Sequence, residues 1–128
     1  MNTESGAVYK EELLIDEIEV RKTVLSILRE YRAFKVSVEN KQEQDEMNLS
    51  LFPVLKDNFQ KKLLIVKQID RALSALDDIE KEIIQKKYLT NIRAKDIDVY
   101  LDMNIQKRQY YTHKKEAITL IAKALGII

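Results

Sequence analysis

Residues 94–128 read AKDIDVYLDMNIQKRQYYTHKKEAITLIAKALGII. The spacing predicts two helices around a tight turn. The first runs from about Lys95 to Met103; the second runs from about Gln106 to Leu125 and stops at Gly126. Between them lies Met103-Asn104-Ile105-Gln106. Asn tolerates the left-handed backbone of a tight turn better than any residue but Gly. Gln106 stands where the second helix should begin and is a weaker N-cap than Ser or Asp, so the boundary is set to about two residues.

The second helix has two faces. Tyr110, Ala117, Ile121 and Leu125, widened by Ile118 and Ala124, form an apolar stripe at helical spacing. Lys107, Arg108, Tyr111, Thr112 and Lys115 fall on the opposite side. A buried stripe backed by cations, hydroxyls and amides suits a helix that enters a DNA major groove. Lys and Arg neutralise phosphates and read guanine, Gln109 is placed to read adenine, and Tyr or Thr touches backbone or base. An ordinary surface helix also has a charged outer face.

Working outward, 128 residues with 45% hydrophobic and 34% charged side chains suit one domain or two very small ones. Two Gly and one Pro leave few interruptions, so an all-α chain is expected. No Cys is present, which excludes disulfides and thiolate metal sites. The N-terminus lacks a basic-then-apolar signal pattern, and no apolar run approaches a bilayer span. The expectation is a cytoplasmic protein with no membrane contact.

The net charge of +1 hides an asymmetry. Residues 1–50 hold seven Lys/Arg and eleven Asp/Glu, a net of −4; residues 51–103 hold ten and nine, a net of +1. Residues 104–128 hold five and one, a net of +4. Gathered positive charge points to an anionic partner for that end. Lys123 fits the negative end of its helix dipole, whereas Lys107 and Arg108 sit at the positive end, where cations are disfavoured and need another reason.

Residues 1–9 are expected as a disordered tail. A helix is expected from about Lys10 to Phe34, with Leu14, Ile18, Arg21, Leu25, Leu28 and Arg32 on a stripe flanked by Val24, Tyr31 and Phe34. Its acids come first and its bases last, in the order the dipole favours. Val36-Ser37-Val38 has the look of a short strand, and Glu39 to Glu46, with no apolar residue, reads as a solvated linker or frayed helix. A further helix is expected near Pro53, through Leu55, Phe59, Leu63, Val66, Ile69, Leu73 and Leu76. Asp77 or Asp78 caps the next, which reaches about Leu89, and Thr90 to Arg93 connect it to the pair at the C-terminus. Residues 1–50 thus form an N-terminal helix and polar linker, a candidate oligomer or partner contact. Residues 51–128 form a helical connector and a three-helix unit of the helix-turn-helix kind.

The stretch Leu76-Asp77-Asp78-Ile79-Glu80-Lys81-Glu82-Ile83-Ile84-Gln85-Lys86-Lys87-Tyr88-Leu89 resembles the opening helix of a sigma-factor region-four domain. Val99-Tyr100, Met103-Asn104-Ile105, the run Tyr110 to Ala117 and Ala124-Leu125-Gly126 resemble the ArpU-type phage transcriptional regulators, to which RinA-type activators are related. The resemblance covers about Ala75 to Ile127. It departs from the usual pattern at Asn104, where Gly is typical, and Gln106, where Ser is typical. It implies a sigma-70 region-4-like DNA-binding regulator of late phage or prophage genes, including packaging and lysis operons.

The expected DNA-contacting residues are Lys107, Arg108, Gln109, Tyr111, Thr112 and Lys115, with Arg93 and Lys95 beside the turn. Tyr110 is expected in the core. His113, the only His, makes neither a metal site nor a relay and is expected as a surface or DNA-proximal polar residue. Asp96, Asp98 and Asp102 are expected as solvated charges, since no Gly-bearing calcium loop surrounds them. No Gly-rich phosphate loop or nucleophile elbow points to an enzyme, and no cofactor is implied. The partners expected are duplex DNA, a second copy in a homodimer, and RNA polymerase. The competing expectation is a helical adaptor that binds RNA polymerase or a sigma factor without reading DNA. The contact for a second copy or polymerase is sought on the N-terminal helix, around Leu25 and Leu28.

Overall fold

The computed structural model of the chain describes residues 5–90 and 93–128, with side chains from Glu17 onward. It is all-α. The helices are α1 (Ser5–Glu46), α2 (Phe59–Ser74), α3 (Asp78–Tyr88), α4 (Asp96–Asp102) and α5 (Lys107–Ala124). Residues 1–4 of the expected tail and Asn91 and Ile92 of the expected connection lie outside the described residues, as does the side chain of Leu14.

The N-terminal region differs most from expectation. Ser5 to Tyr9 are helical, and α1 continues through the stretch expected as a short strand, and through the stretch expected as a solvated linker or frayed helix, to Glu46. At about 1.5 Å per residue its 42 residues span roughly 63 Å. The reason is packing: Val38, beyond the expected end, is buried with Val24, Leu28 and Tyr31 along one line. That line lies to one side of the expected stripe, because Arg21 and Ile18 are exposed and Leu25 is half-buried. The extension also reverses the dipole argument. Glu43, Asp45 and Glu46 now crowd the C-terminal turn, where negative charge is disfavoured. The end is held by a Schellman cap: Asn48 has φ 54°, and the N–H groups of Asn48 and Leu49 donate to the carbonyls of Asp45 and Gln44. The Lys41–Asp45 ion pair at 2.7 Å adds to it.

Pro53 does not open a helix; α2 starts six residues later, at Phe59. Leu51, Phe52, Val54 and Leu55 are exposed, so a helix there would gain no burial to offset its nucleation. The join from α2 to α3 takes only Ala75, Leu76 and Asp77, and Leu76 is buried within it. Asp77 then caps α3 in a capping box. Its carboxylate accepts from the Glu80 N–H at 2.8 Å, and its own N–H donates to Glu80 Oε1 at 2.9 Å. This accounts for Glu80 being buried despite its charge.

Among the described residues, two apolar clusters organise the chain. The larger joins Val24, Leu28, Tyr31 and Val38 of α1 to Val66 and Ile69 of α2, Ile84 of α3, and Ala117, Ile118, Ile121 and Ala122 of α5. Residues on both sides of the boundary expected at position 50 therefore share one core. Leu28, sought as a partner contact, is fully buried in it, and Leu25 packs against it. Tyr31 adds a polar latch by donating its hydroxyl to Asp70 of α2; burial first, then that carboxylate, pushes the Tyr31 phenol well above its ordinary value. The smaller cluster joins Ile83, Val99 and Tyr110, with Ala94, Tyr100, Met103 and Ile105 around them.

Leu28→Ala is expected to lower the unfolding free energy by about 2–5 kcal/mol in urea titrations. Ile18→Ala, on the exposed flank of the same helix, is expected to change it by no more than about 0.5 kcal/mol. Equal effects would contradict the burial of this face of α1.

Candidate nucleic-acid interface

The C-terminal unit is built from α3, α4 and α5. Lys95 is the N-cap of α4, and Asp102 ends it. Asn104 follows at φ 55°. The N–H groups of Asn104 and Ile105 close a second Schellman cap on the carbonyls of Leu101 and Tyr100. Ile105 and Tyr100 both face the smaller cluster, which gives this cap its hydrophobic contact. Four residues, Met103 to Gln106, thus turn the chain from α4 into α5. The Gln106 N–H donates to the Gln109 side-chain oxygen at 3.4 Å. Gln109, expected only as a base reader, therefore also closes the start of its own helix.

The inner face of α5 is Tyr110, Ala117, Ile118, Ile121 and Ala122. Tyr110, Ala117, Ile118 and Ile121 were expected there. Leu125 is half-buried, and Ala124 is exposed where the stripe expected it inside. The outer face exposes Lys107, Arg108, Gln109, Tyr111, Thr112 and Lys115, and Arg93 and Lys95 are exposed at the approach to α4.

These side chains are not equivalent. Lys115 pairs with Glu17 of α1 at 3.1 Å, so its charge is partly matched within the chain. Tyr111 stands edge-on to Tyr110, with ring centroids 5.2 Å apart. The Lys114 ammonium lies over the Tyr111 ring, 5.0 Å from its centre, a cation–π contact. Among the described residues no acid pairs with Lys107 or Arg108. They occupy the first turn of α5, at the positive end of its dipole, at a cost of a few tenths of a kcal/mol each.

Asp96 corrects the sequence reading. It is a hub, not a solvated charge. Its Oδ1 accepts from the Tyr110 hydroxyl at 2.5 Å and from Lys114 Nζ at 3.1 Å. Lys87 Nζ lies 3.8 Å away and donates to the Ala94 carbonyl at 2.6 Å. Burial pushes the Asp96 carboxyl up, but the hydrogen bonds from Tyr110 and Lys114 and the charges of Lys114 and Lys87 outweigh it and hold the carboxyl below its ordinary value. Burial, then hydrogen bonding to Asp96, drives the Tyr110 phenol far up. Asp102 is also engaged, with Lys86 of α3. His113 is half-buried, and its Nδ1 is turned inward 3.9 Å from Glu116 Oε2. The spacing of three Asp on one short helix gave no sign that the first would meet α5. A buried Tyr needing a partner for its hydroxyl was the signal available.

A carboxyl held below its ordinary 3.8 stabilises the fold above that value and loses the contribution as pH falls through the lowered one. Asp96→Asn is therefore expected to cost about 1–3 kcal/mol at neutral pH. The gap from the unsubstituted chain should close as urea titrations are taken below pH 4; a gap independent of pH would rule out the charged hub. No family model matches this chain, and comparison with curated proteins and with solved structures finds no match.

Proposed function

We propose that this chain is a sequence-specific DNA-binding regulator of transcription that places α5 in the major groove of duplex DNA. The observation that carries the reading is the division of α5. One face is locked into both apolar clusters, while the first turns of the other expose Lys107, Arg108, Gln109, Tyr111 and Thr112. Base-reading residues of a recognition helix sit in its first turns, and the helix before it crosses the backbone. A four-residue turn with a left-handed Asn104 between α4 and α5 supports a helix-turn-helix unit of the sigma region-four kind. The cations at the N-terminal end of α5, disfavoured by the dipole, are accounted for by phosphate. Arg93 and Lys95 would hold the strand beside the turn.

The resemblance to ArpU-type regulators supports late phage or prophage genes as the target, with packaging or lysis operons in that class. One such helix reads few base pairs, so specific binding calls for a second copy or for joint binding with RNA polymerase.

The test is selection from random duplexes with the unsubstituted chain and with Lys107→Ala/Arg108→Ala/Tyr111→Ala. The unsubstituted chain should enrich one motif, with affinity falling steeply as salt rises. Lys107→Ala alone should lower the salt slope by about one. The triple variant should enrich nothing while keeping its helical signal. If the unsubstituted chain enriches no motif, the DNA reading fails and an adaptor of RNA polymerase or a sigma factor replaces it.

A further inference from the structure

The segment after α1 exposes apolar side chains that the fold does not use. Phe52 is 69% exposed and Leu55 97%; Leu49, Leu51 and Val54 of the segment and Val36 of α1 beside it are each more than half exposed. At the roughly 100 Å² implied by the transfer free energy of one fully exposed aliphatic side chain, the six, partly exposed as they are, present on the order of 400 Å². That lies within the range of the largest apolar patch of an ordinary monomer, about 300–600 Å², a patch that is often functional. It approaches the roughly 800 Å² that one partner contributes to a stable specific interface once the polar rim is added.

The surface has shape as well as area. Val36, Leu49, Phe52 and Val54 line a groove of about 630 Å³ against the C-terminal half of α1. Leu55, next to Val54, stands outside the groove, free of packing. The segment is also built to hold its path: the Leu51 N–H donates to the Gln44 side-chain oxygen at 3.1 Å, and Asn48 fixes the turn before it.

The other two left-handed caps sharpen the point. After Asn104 and Gly126, the residue following the cap is apolar and meets an apolar residue in the last helical turn: Ile105 with Tyr100, and Ile127 with Ala122. After Asn48 the matching pair is Leu49 and Gln44, and Leu49 is left uncovered.

We infer that this surface is the interface between two copies of the chain, related by a two-fold axis, with Leu55 of each copy entering the groove of the other. An isologous contact requires one patch to hold both a projection and its receptor, because residue i meets j and j meets i. Beside Leu55 the rim carries both signs, with Lys56 and Asp57 exposed, which suits a self-complementary edge, while Lys41 and Asp45 across the groove already pair with each other. The inference stands on this surface and not on the DNA reading.

Sedimentation of the full chain tests it. The chain should sediment at twice its 15.0 kDa mass at micromolar concentration. Leu55→Glu and Phe52→Glu should sediment as monomers with an unchanged far-ultraviolet helical signal, since neither side chain is part of the core. The sequence has no Cys, so single cysteines report the contact directly. Chains carrying Leu55→Cys mixed with chains carrying Val36→Cys should form a mixed disulfide dimer on mild oxidation. A monomer persisting to about 0.1 mM would overturn the inference and leave the surface to a different protein. So would glutamate variants that remain dimeric, or assemblies larger than two, which signal a head-to-tail contact. Duplex binding enters none of these outcomes, so the two readings fail separately.

Discussion

A fully buried tyrosine has to place its hydroxyl, and Tyr110 places it on Asp96. The rest of the C-terminal unit depends on that contact. It ties the first residue of α4 to the second turn of α5, and it draws in Lys114 from α5 and Lys87 from α3. A seven-residue helix such as α4 has no stability of its own. It is positioned by Val99 against Ile83 and Tyr110 on one side and by this charged knot on the other. The angle at which α5 leaves the turn, and so the direction of its outer face, follows from both.

The two clusters are joined by helices and not by loops. Neighbouring residues of α3 divide between them: Ile83 enters the smaller and Ile84 the larger. α5 does the same with Tyr110 near its start and Ile121 near its end. α1 supports this arrangement from outside by packing Val24 and Leu28 into the cluster that holds the C-terminal half of α5. The first turns of α5 are therefore tied to both clusters, and through them to α1, α2, α3 and α4.

Much of this was legible in the sequence because it is local. Asn104 and Gly126 mark the ends of α4 and α5 through the backbone they tolerate, and Asp77 with Glu80 marks the start of α3 through paired hydrogen bonds. The inner face of α5 is set by its period. What was not legible is tertiary. Glu39 to Glu46 has no apolar residue, yet it is helical because Val38 is packed and Asn48 closes the end. Pro53 offered a helix start that nothing nearby could bury. Periodicity places residues on a face, but it does not say whether that face meets another element.

The count of charge shows the same limit at the candidate interface. Residues 104–128 carry five Lys/Arg, which pointed to an anionic partner for that end. Lys114 is committed to Asp96 and Lys115 is paired with Glu17, neither of which lies within that segment. The positive field that remains is concentrated at Lys107 and Arg108, because Lys123 sits about four turns further along α5, near its other end, where it complements the dipole. A cation matched inside the fold gives up little counterion when an anion approaches, whereas one without an internal partner gives up its full share. The effective charge of α5 is thus smaller than its composition and more sharply placed. It lies in the turn of the helix where a residue has to stand in order to reach a base edge.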